Sequence, residues 1–294
     1  MANEVIRGRA VRLPGAGAVR RLGIEAGLLL VLFAAYKWGR TLVQGGVGES
    51  MANASWLWHL ERVLHLPGEG TVQGWVTASH DVTFLANVYY VSVHFPGTAA
   101  LLIWLYARHR SAYFRVRTEL VLLTAAGLVV QTLFPLAPPR LAGVGLMDTM
   151  TAVGPSAYPQ AADGIANQYA AMPSLHVGWA LLVAVAVLRV SRSPWRWVIA
   201  AHAPVTVLVV VSTANHYWLD GIVAAALLAA AIALTAAFSR RHARSNTPAK
   251  PAVAAVRWDA PKAAAAPQAD GVRPEGGVAW EDEGRREREL VPVP

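Results

Sequence analysis

Six long apolar stretches constrain the fold of this chain more than any other feature. A helix needs about 20 mostly apolar residues to cross a hydrocarbon core, with a range of about 17–25. The stretches that meet or nearly meet this length are 22–42, 84–106, 120–137, 172–188, 197–213 and 217–238. Only 15% of the 294 residues are charged, whereas soluble domains contain about 25%. The sequence therefore predicts an all-α integral membrane bundle of six transmembrane helices.

The arginines indicate how these helices are oriented. They are concentrated before the first stretch, between the second and third, between the fourth and fifth, and after the sixth. These connections hold 15 of the 19 Lys and Arg residues in positions 1–249. Cytoplasmic loops carry an excess of basic residues, so the pattern predicts a multi-pass plasma-membrane protein with both termini in the cytoplasm. The end of the third stretch, the start of the fourth and the junction of the fifth and sixth then share the extracytoplasmic side.

The segments outside the six stretches complete the predicted organisation. Residues 1–21 form a basic cytoplasmic N-terminus, residues 22–244 the membrane domain, and residues 245–294 a tail rich in Ala, Pro and mixed charge. Such a composition buries too little apolar surface to fold, so the tail is predicted to be disordered and cytoplasmic.

Two outer connections are long enough to have structure of their own. In the first, the apolar residues Trp56, Leu57, Leu60, Val63 and Leu64 recur at helical spacing, with Glu61 and Arg62 between them. This spacing predicts an amphipathic helix lying in the outer membrane interface. The second connection, residues 138–168, contains Pro, Gly, Asp148 and Asp163. It is predicted to form a lid.

Composition also excludes several functional classes. The chain has no cysteine, so it has neither disulfides nor a thiolate metal site. Its formal net charge is +8, but no basic stripe is interleaved with aromatic residues, which argues against nucleic-acid binding. The predicted partners are membrane lipids and a lipid substrate, and the oligomeric state is left open.

His216 and Asp220 are the strongest candidates for chemistry. They are four residues apart, so on a helix they share one face and can form a hydrogen bond. A carboxylate in this position orients an imidazole for nucleophilic or acid–base catalysis. The alternative is a structural pair that only holds two helices together.

Two further motifs fall on the same predicted membrane side. Pro173 is predicted to mark a helix start, with Ser174 and His176 in a first turn whose free N–H groups favour an anion. Arg140 follows two prolines at the end of the third stretch, and a guanidinium suits bidentate capture of phosphate. The alternatives are a capped helix with a histidine at the lipid headgroups, and an arginine bound to those headgroups.

Other polar residues are weaker candidates. His94, in the middle of the second stretch, is predicted either to contact the site or to bond to a neighbouring helix. The predicted substrate-binding residues are Arg140, Ser174, Asn215 and His94. His202 is predicted to be structural and far from the site, and Gln131 to bond between helices. One Asp and two His could form a metal triad. A cation such as Arg140 would oppose the metal, so the set favours an anionic phosphate and predicts no metal and no cofactor.

These residues resemble the motifs of the type 2 phosphatidic acid phosphatase superfamily. The chain looks closest to the branch of the aureobasidin-resistance proteins, the inositol phosphorylceramide synthases. The resemblance covers residues 84–238 and follows three motifs in order: residues 135–140 with Arg140, residues 173–176 with Leu175 where many members have Gly, and the His-x-x-x-Asp of residues 216–220.

The resemblance implies a role for each residue. His216 would attack phosphorus and form a phosphohistidine, Asp220 would orient His216, and His176 would protonate the leaving alkoxide. Arg140, Ser174 and the N–H groups of the fourth helix would hold the phosphoryl oxygens.

Two departures from the superfamily pattern concern charge. The first motif usually has a Lys seven residues before its Arg, and the third an Arg six residues before its His; Leu133 and Val210 occupy these positions here. The resemblance therefore implies a metal-independent lipid phosphate phosphatase or inositolphosphotransferase-like enzyme, and the two departures imply that its phosphate is held by fewer charges. A non-catalytic lipid-binding or transport protein is the alternative.

Overall fold

The computed structural model describes residues 46–157 and 168–245, together with scattered residues between 20 and 34. Most of the first predicted span, the N-terminal segment before it, Asp163 and the predicted tail lie outside the described residues. The helices with described bounds are α1 (Val47–Val63), α2 (Glu69–Thr77), α3 (His80–Ser92), α4 (His94–Arg108), α5 (Arg110–Leu133), α6 (Thr149–Val153), α7 (Leu175–Val190), α8 (Trp195–Ala200), α9 (His202–Ser212) and α10 (Trp218–Ser245).

The fold of the described residues is all-helical, apart from one isolated bridge between Leu136 and Ala170. Three helical segments are long and apolar enough to cross a membrane: α5, the segment Trp195–Ser212 made of α8 and α9, and α10 up to Arg241. A fourth is obtained if α3 and α4 form one span bent by 47°. The described part therefore contains three or four of the six predicted spans. Helix α7 is apolar, but its 16 residues fall short of this length.

Prolines determine where several helices end. Helix α5 begins ten residues before the predicted start and stops at Leu133, because the residue that precedes Pro135 is disfavoured in a helical conformation. Residues 134–137 were predicted to be helical, and this prediction was wrong. Pro96 in the first turn of α4 and Pro204 in α9 each lack an N–H group, and the chain bends or breaks a few residues before each of them.

Helix α7 is the centre of the bundle and packs against α4, α5, α8, α9 and α10. Leu105, Leu123 and Leu182 are fully buried where these helices meet. Large apolar side chains such as Ile103, Leu133 and Phe238 are exposed on the outside of the bundle. Exposed apolar faces of this kind are expected where helices contact lipid.

The predicted outer amphipathic helix is two helices, α1 and α2. Trp56, Val63 and Leu64 are exposed as expected, and Leu57 packs inward. Glu61 was expected on a polar surface, but it is fully buried, and so is Glu69 in α2. The cause is a tertiary contact, because the side chain of Glu61 accepts a hydrogen bond from the backbone N–H of Leu219 at 2.8 Å.

Candidate functional site

Backbone hydrogen bonds bring the three sequence motifs together. The segment after α5 pairs with the segment before α7, since the N–H of Leu136 donates to Tyr169 at 2.8 Å. The N–H of Arg140 donates to the carbonyl of Ala214 at 2.9 Å, and the N–H of Ser174 donates to the carbonyl of Asp220 at 3.1 Å. The predicted convergence of the three motifs is therefore present in the structure.

His216 and Asp220 form the predicted pair. Nδ1 of His216 lies 3.2 Å from Oδ2 of Asp220 and 2.9 Å from the carbonyl oxygen of Ala171. A carbonyl oxygen can only accept, so Nδ1 carries the proton, and Nε2 of the neutral ring keeps its lone pair. Asp220 is fully buried, and its Oδ2 also accepts the N–H of Tyr217 at 3.0 Å.

The turn before His216 is set by its backbone. Ala214 has a φ of 52°, in the left-handed region that residues other than glycine rarely adopt. The N–H groups of Asn215 and His216 both donate to the carbonyl of Val210 at 3.1 Å. Val210, where the superfamily usually has a cation, thus contributes a buried apolar side chain and a backbone acceptor.

His176 faces His216 from the first turn of α7. The two ring centroids are 6.1 Å apart, close enough for both imidazoles to contact one bound phosphate. His176 is stacked on Tyr90, with centroids 4.2 Å apart, and contacts His94 at 4.3 Å. The predicted general acid therefore sits between two rings contributed by the bent pair α3 and α4.

His94 and His202 lie closer to the site than their positions in the sequence indicate. His94 is buried between His176 and Trp179, with ring centroids 4.8 Å apart in the second contact. A small cavity is lined by both His94 and His202, and His176 also borders it. His202 also bonds through Nδ1 to the hydroxyl of Tyr89. The prediction that His202 lies far from the site was wrong, because His202 lines the same cavity as His94 and His176.

Arg140 is held by side chains from three segments. Its Nε donates to Asn215 at 3.2 Å, its Nη1 to Asp148 at 3.1 Å and its Nη2 to Gln168 at 3.0 Å. The side chain is only 3% exposed. Asn215, predicted to bind substrate, orients this guanidinium. Leu133, where the superfamily usually has a Lys, is 76% exposed on the outside of α5.

Ser174 is placed differently from the prediction. It is the N-cap of α7, and its hydroxyl accepts from the N–H of Val177 at 3.4 Å. Helix α7 begins at Leu175, so Pro173 precedes the cap and does not occupy the first helical position. Gln131 was predicted to bond between helices; it donates to the carbonyl of Pro173 at 3.4 Å, in the segment that precedes α7.

Two sets of acidic residues at the site were missed as functional candidates. Asp148 was assigned only to a loop, although an Asp followed by Thr-Met-Thr is a recognisable N-cap, which it forms for α6. Glu61 and Glu69 carried no such signal, because Glu61 is buried by a tertiary contact with Leu219 of α10 and Glu69 bonds to Arg62 of α1. Among the described residues, no cluster of three or more His, Asp or Glu side chains is placed to hold a metal ion.

A helical bundle with membrane-length apolar segments, a buried His–Asp pair and a second histidine whose ring centroid lies 6.1 Å from that of His216 defines a helical membrane protein with a polar site where its three motifs meet. The chain matches the family model of the PAP2 superfamily over residues 55–234, and it belongs to that superfamily. This match indicates a phosphatase or phosphotransferase that acts on lipid phosphates. Searches of curated proteins and of solved structures gave no significant match.

Proposed function

We propose that this protein transfers a phosphoryl or phospho-alcohol group from a membrane lipid through a phosphohistidine on His216. The observation that carries the proposal is the bonding of the His216 ring. Ala171 and Asp220 both lie against Nδ1, which leaves Nε2 as the nucleophile. Asp220 stabilises the positive charge that the ring gains when it attacks.

In the first step the Nε2 lone pair forms a bond to phosphorus and the bond from phosphorus to the leaving alkoxide breaks. Protonated His176, with its ring centroid 6.1 Å from that of His216, gives its proton to the leaving oxygen. Arg140 and the N–H groups at the start of α7 stabilise the phosphoryl oxygens.

In the second step an acceptor oxygen attacks phosphorus, its proton passes to His176, and the bond from nitrogen to phosphorus breaks. Water as the acceptor makes the protein a lipid phosphatase, and an alcohol makes it an inositolphosphotransferase-like enzyme. Both routes use the same intermediate. The groups named here need neither a metal ion nor a cofactor.

The charge at the site favours a weakly charged phosphate. Asp148 offsets part of the charge of Arg140, and apolar side chains occupy positions 133 and 210. A phosphodiester carries one negative charge, whereas an ionised monoester carries up to two. The arrangement therefore supports a phosphodiester substrate, as in the branch that the motifs resemble.

We place the site on the extracytoplasmic side of the plasma membrane, with both termini in the cytoplasm. The distribution of arginines supports this orientation. The ion pair between Glu25 and Arg117 also supports it, because it joins the start of the first apolar stretch to the early part of α5. A reporter fused after Arg244 is expected to score as cytoplasmic, and the opposite result would place the site on the inner side.

The test of the activity uses purified full-length protein in lipid vesicles. A panel of lipid phosphate monoesters and diesters is offered with and without an alcohol acceptor, and both released phosphate and transfer products are measured. We expect turnover in the wild type, none in His216→Ala, and an acid-labile phosphoenzyme in the wild type alone. Activity is expected to be unchanged by a chelator. Loss of activity in its presence would indicate metal-assisted catalysis.

If no lipid is turned over and His216→Ala still binds the same lipids, the protein is a binding or transport protein. Glu49→Gln controls for the effect of introducing a substitution, since the side chain of Glu49 is exposed on the surface of α1.

A further inference from the structure

The outer end of α10 is held by residues of α1 and of the loop after it. The N–H of Leu219 donates to Oε1 of Glu61 at 2.8 Å, and the indole N–H of Trp218 donates to the carbonyl of Pro67 at 2.7 Å. The first N–H groups of a helix have no partner within the helix. Glu61 of α1 supplies the missing acceptor for the N–H of Leu219, which lies in the same turn of α10 as Asp220.

Glu61 is paired with a second buried carboxyl group. Glu61 and Glu69 are both 0% exposed and lie within hydrogen-bonding reach of each other. Oε1 of Glu61 is used by Leu219, and Oε2 of Glu69 accepts from Arg62 at 2.7 Å. The remaining oxygens, Oε2 of Glu61 and Oε1 of Glu69, have no donor among the described residues. One proton between these two oxygens would satisfy both.

The surrounding charges favour such a proton. Arg62 bonds to Glu69 and also approaches Oε2 of Glu61 at 3.8 Å, but Asp220 adds a third carboxylate. The buried hydroxyl of Tyr217 has no hydrogen-bond partner in the described part of the chain, so it does not compensate these carboxylates. Three ionised carboxylates and one guanidinium would leave two uncompensated negative charges in a buried site, which is costly.

The acid–base behaviour of Glu61 agrees with the geometry. Burial raises its pKa to about 9, and the hydrogen bond with Glu69 acts in the same direction, while the bond from Leu219 opposes it. A carboxyl group with this pKa is protonated at neutral pH.

We propose that Glu61 and Glu69 share one proton and act together as a positioning pair for His216 and Asp220. The pair acts through the Leu219 N–H, which sits between the two site residues in sequence. Loss of the proton makes the two carboxylates repel, withdraws Glu61 from α10 and shifts the turn that carries Asp220. The positioning role of the pair rests on the function proposed above, whereas the shared proton does not.

The proton is tested by infrared spectroscopy on the full-length protein in vesicles. We expect a carbonyl stretching band of a protonated carboxylic acid at pH 7 that disappears with a midpoint near the pKa of about 9. The band should be absent in Glu61→Gln and present in Asp220→Asn. No band in the wild type, or a band that persists in Glu61→Gln, overturns the shared proton.

The positioning role is tested by turnover. Glu61→Gln keeps an acceptor for Leu219 and gains a donor for Glu69, so it should keep the wild-type kcat at neutral pH. In the wild type, loss of the shared proton should lower the rate at alkaline pH, and this part of the fall should be absent in Glu61→Gln. Glu61→Ala should lose at least about tenfold in kcat at unchanged KM, because small displacements at a reacting centre are that costly. Glu49→Gln is the surface control from the same helix.

An unchanged kcat in Glu61→Ala, or an equal loss in Glu61→Gln, overturns the positioning role. If Glu61→Ala does not fold, the pH profile of Glu61→Gln alone decides. If the wild type turns over no lipid phosphate, the proposed function fails, and the infrared result still decides whether the proton is shared.

Discussion

The guanidinium of Arg140 forms an ion pair with Asp148, with Nη1 and Oδ2 3.1 Å apart. Asp148 also caps α6 by accepting from the N–H groups of Met150 and Thr151. The charge of Arg140, which would bind phosphate, is therefore already partly neutralised by Asp148. The carboxylate of Asp148 is held in place because it caps α6. A substitution at Asp148 alone should therefore change the net charge beside Arg140.

Asp148→Asn should strengthen anion binding. The amide oxygen can keep the cap, while the negative charge beside Arg140 is lost. A gain of about 1 kcal/mol, or roughly fivefold, is expected in inhibition by inorganic phosphate or vanadate. Inhibition constants measure it, and Asp81→Asn is the control because the side chain of Asp81 is almost fully exposed. Weaker inhibition in Asp148→Asn would mean that the carboxylate orients Arg140 for binding.

Asp220→Asn should reduce turnover without abolishing it. The carbonyl of Ala171 still fixes the tautomer of His216, so the variant loses only the charge that stabilises the ring during attack. We expect a fall in kcat of roughly a hundredfold, at the lower end of the range for acid–base and orienting groups. Single-turnover rates measure it, with His216→Ala as the variant without a nucleophile. A loss in Asp220→Asn as complete as in His216→Ala would contradict the proposed division of labour.

Gly127→Ala should destabilise the start of α7. A Cβ at this position would lie 2.7 Å from Cδ2 of Leu175, so the end of this buried side chain at the start of α7 must shift. Overpacking of this kind costs about 1–3 kcal/mol. Thermal unfolding in detergent measures it. Leu175→Ala in the same chain should restore part of the loss, because it removes the clashing atoms.

Gly97→Ala is the matched control for Gly127→Ala. Gly97 is also helical, but an added Cβ there meets nothing within 4 Å. Helix propensity alone should then stabilise the protein by about 0.5–1 kcal/mol. Equal effects at the two glycines would show that Leu175 does not occupy the space at position 127.

Stability should depend on pH through Glu61. Burial raises its pKa from 4.5 to about 9, so between these values the folded protein holds a proton that the unfolded chain releases. Stability is then highest below pH 4.5, falls as the pH rises towards 9 and levels off above it, as far as this group is concerned. Thermal midpoints across this window should fall less steeply in Glu61→Gln than in the wild type. Parallel curves would assign the dependence to other groups.

The motifs of the site could be predicted from the sequence, because each is local. The spacing of His216 and Asp220 fixes their pairing on one turn, and the loop arginines bring Arg140 and His176 to the same predicted side. The end of α5 was less predictable, since apolar composition continued to residue 137 while Pro135 had already ended the helix.

The surroundings of the site could not be predicted, because they arise from tertiary contacts. Glu61 looks like a surface residue of an amphipathic helix until Leu219 is placed beside it. His202 looks distant until the cavity shared with His94 and His176 is seen. Periodicity reports which face of a helix is apolar, but it does not report what that face contacts.

His94→Phe should show whether His94 contacts the substrate or supports His176. His94 is buried, its ring lies against those of His176 and Trp179, and its Nδ1 has no partner among the described residues. Phenylalanine keeps an aromatic ring in this position and removes the nitrogens. If His94 acts by packing, the variant should keep its thermal midpoint and its KM, with less than about a tenfold change in kcat. His94→Ala, which leaves a cavity beside His176, should lose stability by about 2 kcal/mol or more. A raised KM in His94→Phe at unchanged stability would instead assign His94 to the substrate.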